Sequence, residues 1–531
     1  MKHFLFVIPN AYNSRTHKQE QRKCIPYGVL SIATYVEHYC PAVQCDVLDL
    51  NLYDGWPQQR QVLLERLNTT AYDLVGISSM FSTVKTQTAQ IAAEVRKNAS
   101  VGYITVGGIA ASNSPEMFFS EMPEIDAICC GEGEIPFLDL AMAESFEAVF
   151  RTHRGWLTKE ALAAGKTPEP VYVADLDDIP VVNYDKVPVE AYGSRIRDDG
   201  GSYRQSLPIH TTRGCPYSCV FCCAGANHGR RVRAMSAQRV IEDITYLKEH
   251  YGIEKISIDD DQFLCLKDRA KQVLRGLVPL NLELEFASGL NVKFIDEEIA
   301  SALRQAGAKT VVIAVESGSQ RVLDEIIHKP LELCDVAQCV DWLHRYGIRV
   351  DAFIIVGLPG ETPEDLEKTK QFMRTANIDW YIINVAQPYP GSQLYEQCSR
   401  NGWLLRSDEN GNDRWSIEPE PGFAQRMQQL RYSLKVEMNY LNNYSLRNRD
   451  FGQALQIFKN TADVYPNHAI SQYCVAMAYR GMENFAASKT YFERFLSALE
   501  RRPAWNEYVK DFALHTHWNA FLQEAQNGNV S

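Results

Sequence analysis

The 531-residue sequence contains no run of 18 or more apolar residues, so no membrane-spanning helix and no membrane partner is expected. It has no excess of positive charge. There are 54 Lys and Arg against 66 Asp and Glu, a formal net charge of −12. Nucleic-acid binding needs clustered cations at phosphates, so a nucleic-acid partner is not expected either. No secretion signal is expected at the amino-terminal end. The apolar run in MKHFLFVIPN lasts a few residues and stops at Pro9, which reads as a strand, and a cytoplasmic location is the expectation. Disorder is excluded by composition, with 45% hydrophobic and 23% charged residues. What is plentiful is cysteine, with 14 residues. Without a secretion signal these are expected as free thiols or metal ligands rather than disulfides.

Short apolar runs alternate with helical patterns over residues 1–145. The runs are His3–Pro9, Cys45–Leu50, Asp73–Met80, Tyr103–Gly108 and Asp126–Gly131. They are unbroken, as strands buried on both faces are. Leu30–His38 and Val84–Lys97 carry apolar residues at helical spacing. The order predicts an α/β fold with an open parallel sheet, whose ligand site lies at the carboxyl ends of the strands. Residues 146–203 are polar and proline-bearing, and read as a linker with some local structure. A second α/β unit spans 204–405. Its strand candidates are Leu207–Thr212, Lys255–Asp259, Leu284–Ser288, Thr310–Glu316, Arg349–Val356 and Tyr381–Ala386. Six such units suggest a parallel sheet curved into a partial barrel with its chemistry at the strand carboxyl ends. Residues 406–531 read as helical. Phe451, Ala454 and Phe458 recur 34 residues later as Phe485, Ser488 and Phe492, and Pro466 and Pro503 close the two helices. This resembles tetratricopeptide (TPR) repeats, although a helical cap on the barrel is preferred to a peptide-binding surface.

The strongest chemical signal is Arg213-Gly214-Cys215-Pro216-Tyr217-Ser218-Cys219-Val220-Phe221-Cys222. Thiolates are the usual ligands of iron–sulfur clusters. Three ligands for four irons leave one iron open, which a catalytic metal centre requires. Spacing alone leaves zinc open, with His210 and His228 as candidates for a fourth ligand.

This spacing, with aromatic Phe221 before the last cysteine, resembles the radical S-adenosylmethionine (SAM) superfamily. The resemblance covers about 200 residues. It extends through Asp260-Asp261-Gln262-Phe263, Glu316-Ser317-Gly318-Ser319, Gly357-Leu358-Pro359-Gly360-Glu361-Thr362 and Pro388-Tyr389-Pro390-Gly391, each at a strand end. It implies a 4Fe-4S cluster on Cys215, Cys219 and Cys222. It also implies a SAM site that includes Phe221, Asp261, Glu316, Ser317, Gly357 and Pro359. Arg230 and Arg233 are candidates for gripping a substrate carboxylate or phosphate, because guanidinium binds these bidentately. A solvated helix start is an equal reading of that stretch. Cys223 is not expected to be a ligand.

The first domain, taken with the second, resembles the Rossmann-like cobalamin-binding module of cobalamin-dependent radical SAM enzymes. The residues that carry the likeness are Pro26-Tyr27-Gly28-Val29-Leu30, Gly76-Ile77-Ser78, Val106-Gly107-Gly108 and Gly131-Glu132-Gly133-Glu134. The implied cobalamin contacts are Ser78, Ser79, Met80, Gly107, Gly108, Gly131, Glu132 and Gly133. The loop after the first strand holds only His17 and lacks the D-x-H-x-x-G pattern, as some members of this subfamily do. A lower histidine ligand to cobalt is therefore not assigned.

The resemblance implies cleavage of SAM to a 5′-deoxyadenosyl radical and methyl transfer to an unactivated carbon, or phosphorus, of a small-molecule substrate. An external electron donor such as flavodoxin or ferredoxin is implied. Three other readings stand beside it. They are a cobalamin-dependent oxidation, cyclisation or rearrangement without methyl transfer, a methylthiotransferase, and a non-catalytic scaffold that engages a protein partner through its carboxyl-terminal helices.

Overall fold

Apolar runs rich in β-branched and aromatic residues form the first sheet. In the computed structural model, which describes residues 1–10, 24–192, 206–409 and 412–514, the strands are β1 (Lys2–Ile8), β2 (Val43–Asp49), β3 (Tyr72–Ser78), β4 (Val101–Gly107), β5 (Ala127–Cys129) and β6 (Trp156–Leu157). Their order is β2-β1-β3-β4-β5-β6, parallel except for β6, which pairs antiparallel with β5. Residues alternate between two cores. Phe4, Phe6 and Leu74 face one, and Leu5, Val7 and Val75 face the other. The connection after β1 runs to β2 on one side and the connection after β3 runs to β4 on the other, so the direction switches between β1 and β3. The crevice this opens at the carboxyl ends is where doubly wound sheets bind ligands. His17 lies outside the described residues.

The stretch after this sheet is packed rather than tethering. Helix Phe146–Thr152 follows Ser145, whose hydroxyl accepts from the Ala148 N–H. Val173, Leu176, Ile179, Val182, Tyr184 and Tyr192 are buried in the same core as the first sheet's inner face. That core runs on without a break into the second unit, through Leu207, Ile256 and Val311.

The second unit begins with β7 (Ser206–Ile209) and a hairpin of β8 (Thr212–Arg213) and β9 (Arg233–Ala234). β10 (Lys255–Ile258), β11 (Glu283–Glu285), β12 (Thr310–Glu316), β13 (Arg349–Val356) and β14 (Trp380–Val385) follow. Two parallel triplets form, in the orders β11-β10-β7 and β12-β13-β14. Parallel bridges from Leu284 to Ala308 and from Leu290 to Ile313 lie between them. Helix caps mark the boundaries. The Ser236 hydroxyl opens helix Ala237–Tyr251 and left-handed Gly252 ends it, and Thr362 with Asp365 forms a reciprocal capping box on helix Pro363–Thr375.

The carboxyl-terminal part is not wholly helical. β15 (Leu404–Glu409) and β16 (Asn412–Ile417) pair antiparallel before the helices start. Helices Phe451–Val464, Ala469–Gly481 and Phe485–Arg501 then pack around their own core of Ala454, Phe458, Cys474, Phe492 and Phe495. Pro466 and Pro503 stand just beyond the first and third of these. Among the described residues no helix is long and apolar enough to cross a membrane.

Candidate functional site

The three spaced cysteines all ride on the long loop of the β8–β9 hairpin. Gly214 opens that loop at φ +95°, where a Cβ would stand 2.4 Å from the Arg231 carbonyl oxygen. Only glycine fits there. The Cys215 N–H donates to the Gly229 carbonyl (3.2 Å) and closes the loop on itself. Its middle is pinned from both sides. The Val220 N–H donates to the Ile327 carbonyl (2.9 Å), and the Val220 carbonyl accepts from the Leu394 N–H (2.8 Å). The loop is thus fastened to segments that follow β12 and β14.

Polar hydrogens already reach two of the sulfurs. The Gln262 side-chain amide donates to Cys215 Sγ (3.5 Å) and the Ala224 N–H to Cys222 Sγ (3.4 Å). Such donors stabilise thiolate and tune an iron–sulfur cluster. Burial pushes all three thiols up, Cys219 to about 11. They hold their protons until a metal displaces them. The donor set fits a three-thiolate cluster. Both candidates for a fourth zinc ligand are engaged elsewhere. His210 stacks on Tyr27 (4.6 Å between centroids), with burial pushing its pKa down to about 3, and His228 Nδ1 lies 2.7 Å from Asp261 Oδ2. Among the described residues no three His, Cys, Asp or Glu side chains converge on a single ion. Cys223 lies apart, with its Sγ 3.6 Å from the Pro390 carbonyl oxygen.

Carboxylates ring this loop. Glu316 ends β12 after a register shift at Ala314, and it sits at φ +75°, a strained conformation for a residue with a side chain. It is buried, and burial pushes its carboxyl up despite Lys329 Nζ at 3.5 Å from Oε1. Ser317 turns inward, with its hydroxyl 3.2 Å from Thr369 Oγ1 and accepting from the Ser319 N–H, so it orders the turn behind Glu316. Asp261 Oδ2 accepts from the Gly214 N–H (2.8 Å) as well as meeting His228. Burial raises that carboxyl, but His228 and Gly214 outweigh burial and hold it below the usual range. Gly357 (φ +81°) and Pro359 shape the turn after β13. The Gly357 N–H donates to Glu361 Oε2 (2.7 Å), while Glu361 Oε1 is buried without a partner.

The first sheet's carboxyl edge offers a different surface. Gly108 (φ +99°) lies so close to Ser79 that a Cβ would fall 2.7 Å from its carbonyl oxygen. Ser79 is fully buried and ties this edge together, its N–H donating to the Gly107 carbonyl (2.7 Å). Ser78 is half-buried, whereas Met80 and Phe81 are 44% and 53% exposed. Gly28, at the start of helix Tyr27–Tyr39, faces open space where a side chain would otherwise stand. Glycines and exposed apolar side chains at strand ends fit a large flat ligand. Gly131 (φ +78°) and Gly133 instead pack closely, on Pro170 and Ile32. Glu132 is buried and ion-paired with Arg233 and Arg213.

The two edges meet. The Asn113 side-chain amide, beyond β4, donates to the Asn227 side-chain oxygen beside the cysteine loop (3.5 Å), and Asn113 also packs on Gly391. Arg233 donates to Glu132, Val173 and His228 rather than facing an open cleft. Arg230 is exposed and donates to the Tyr217 carbonyl. Phe221 is half-buried against the central core. Sequence reasoning did not single out Lys329, Glu361 or the buried ion pairs of Arg213. Glu361 stood inside a motif already marked. The other two are recognised only through distant partners.

Comparison with known proteins matches this arrangement. The radical SAM superfamily model covers residues 209–373, and the B12 binding domain model covers 21–141. An uncharacterized methyltransferase of Pyrococcus horikoshii is 32% identical over 334 residues, 63% of this chain and 71% of that protein. The cytidylyl-2-hydroxyethylphosphonate methyltransferase of Streptomyces wedmorensis is 27% identical over 362 residues, 62% of this chain and 67% of that one. The cobalamin-dependent S-adenosylmethionine radical enzyme OxsB, solved with aqua-cobalamin and S-adenosylmethionine, superposes with a TM-score of 0.67 at 15% identity, over 100% of this chain and 85% of that one.

Proposed function

The chain belongs to the radical SAM superfamily, in the branch with a B12 binding domain, and on that footing we propose that it methylates an unactivated carbon, or a phosphorus, of a small metabolite. The observation that carries this is the meeting of two edges, the pinned three-cysteine loop against the carboxyl edge of the first sheet. One edge suits SAM on a cluster and the other suits a corrinoid. When bound, the cluster with SAM supplies one-electron cleavage and the cobalamin supplies a methyl group. The chain's part is to bind, orient and exclude water.

In this reading Cys215, Cys219 and Cys222 hold the cluster. Glu316 and Lys329 form a buried charged pair for the polar groups of SAM, and Gly357 and Pro359 let its flat base approach the backbone. Ser78, Met80, Gly107 and Gly108 take the corrinoid face. Arg230 is left as the exposed guanidinium for a substrate anion, and the reducing electron comes from an external donor. Residues 204–405 act as a partial (β/α)6 barrel between the corrinoid domain (1–145), with its connecting segment (146–203), and a carboxyl-terminal region (406–531) that opens on the β15–β16 hairpin and goes on as TPR-like helices.

The test is anaerobic reconstitution with iron, sulfide and hydroxocobalamin, followed by gel filtration and product analysis with SAM. A corrinoid-to-protein ratio near one, with S-adenosylhomocysteine formed alongside methylated product, is the expected result. Cys219→Ala should abolish the cluster's visible absorbance, whereas Cys223→Ala should leave it. A ratio near zero with the cluster intact overturns the cobalamin assignment, and loss of the cluster in Cys223→Ala overturns the ligand set.

A further inference from the structure

The pair Glu132 and Glu134 follows β5 in the first domain, yet both carboxylates are ion-paired with arginines of the second unit. Arg213 Nη2 lies 2.7 Å from Glu134 Oε1, and Arg213 Nη1 lies 3.2 Å from Glu132 Oε2. Arg233 grips Glu132 with both nitrogens, Nη2 at 2.5 Å from Oε1 and Nη1 at 3.0 Å from Oε2. All four side chains are at most 10% exposed. The remaining polar capacity is filled as well. The Ser31 hydroxyl donates to Glu134 (2.7 Å) and the Val173 N–H to Glu132 (3.2 Å), while Arg233 lies over the Tyr172 ring.

The position of the two arginines gives this network its meaning. Arg213 and Arg233 are directly opposed partners in the β8–β9 hairpin, and the loop they close carries all three cluster cysteines. Like charges facing each other across a strand pair repel, and in a buried place that repulsion is not screened. The hairpin base is therefore sound only when carboxylates from the first domain sit between and beside the guanidiniums. A buried pair that loses one partner is left with an uncompensated charge.

We propose that Glu132 and Glu134 are positioning residues for the cluster loop: the corrinoid domain closes the base of the cysteine hairpin and so sets the cluster's surroundings across the domain interface. The two carboxylates serve the cluster rather than the corrinoid. This rests on the cofactor reading above and adds a residue-level link between its two halves.

The experiment compares full-length wild type with Glu134→Gln, Glu132→Gln and Arg213→Lys, each reconstituted anaerobically with iron, sulfide and hydroxocobalamin. Three quantities are read: corrinoid per protein, the electron paramagnetic resonance spectrum of the reduced cluster with SAM, and the ratio of 5′-deoxyadenosine to methylated product. Wild-type corrinoid content is expected in Glu134→Gln, with an altered cluster spectrum and a raised ratio of 5′-deoxyadenosine to methylated product. Arg213→Lys keeps the charge but cannot bridge two carboxylates, and should shift the spectrum in the same direction by less. It stands in where Glu132→Gln, which exposes two arginines to each other, fails to fold. An unchanged spectrum in both Glu134→Gln and Arg213→Lys overturns the inference. So does loss of corrinoid with the cluster spectrum intact, which would return the carboxylates to the corrinoid. A wild type that loads neither cofactor instead overturns the underlying assignment, and the inference falls with it.

Discussion

Glu316 combines a positive φ, a buried carboxyl and one cation at 3.5 Å, a costly arrangement for a residue without a ligand. If that carboxylate receives the charged end of SAM, Glu316→Gln removes an ionic hydrogen bond of about 1.5–3 kcal/mol, a weakening of roughly ten- to a hundredfold. Equilibrium dialysis with labelled SAM on cluster-loaded protein measures it, and an unchanged Kd at unchanged iron content would count against the assignment. Glu361 makes a separate prediction about pH. Burial pushes its carboxyl up to about 7, against the Gly357 and Leu358 N–H groups that pull it down. A carboxyl raised in the folded state holds a proton the unfolded chain has lost. Stability therefore falls as pH rises from about 4.5 to about 7, by at most about 3 kcal/mol. Glu361→Gln should match wild type near pH 5 and melt above it near pH 8. Parallel Tm curves for the two proteins would show that the carboxyl is not perturbed.

At the scale of elements, what could be read from the sequence divides along a physical line. β12 (Thr310–Glu316) and β13 (Arg349–Val356) fall where the apolar runs fall, because buried and half-buried residues alternate along most of each strand, the period of two that marks a strand. The cysteine loop was equally legible, since its chemistry lies within eight residues, 215–222. The hairpin β15–β16 stands where the sequence from residue 406 reads as helix, although Asn410-Gly411 is a strong local hairpin signal. Arg213 shows the opposite limit: its partners Glu132 and Glu134 come from another domain, and no local pattern announces such a pairing. The expected 34-residue recurrence is matched by burial only in part. Ala454 and Phe458, and Ser488 and Phe492 34 residues later, are buried, but Phe485 is 44% exposed where its counterpart Phe451 is half-buried. Phe458 is central to this separate core, and Phe458→Ala should cost about 3–5 kcal/mol. Limited proteolysis should then cut within 451–501 while the corrinoid ratio stays at the wild-type value. A parallel fall in cluster loading would mean that these helices support the site as well.

Across the whole molecule, one core joins the inner face of the first sheet, the packed segment before β7 and the second sheet, while the carboxyl-terminal helices keep their own. The double fastening of the cysteine loop has a consequence in time. Val220 is held by Ile327 and by Leu394, both far downstream. A ribosome adding ~5–20 residues per second needs on the order of ten to thirty seconds to travel from Val220 to Leu394. Throughout that interval the nascent chain carries its three thiols on a loop that lacks at least one of its two fastenings, beside an already synthesised first domain. The order of the codons thus gives iron–sulfur delivery an open window before the helix that starts at Gln393 turns the latch.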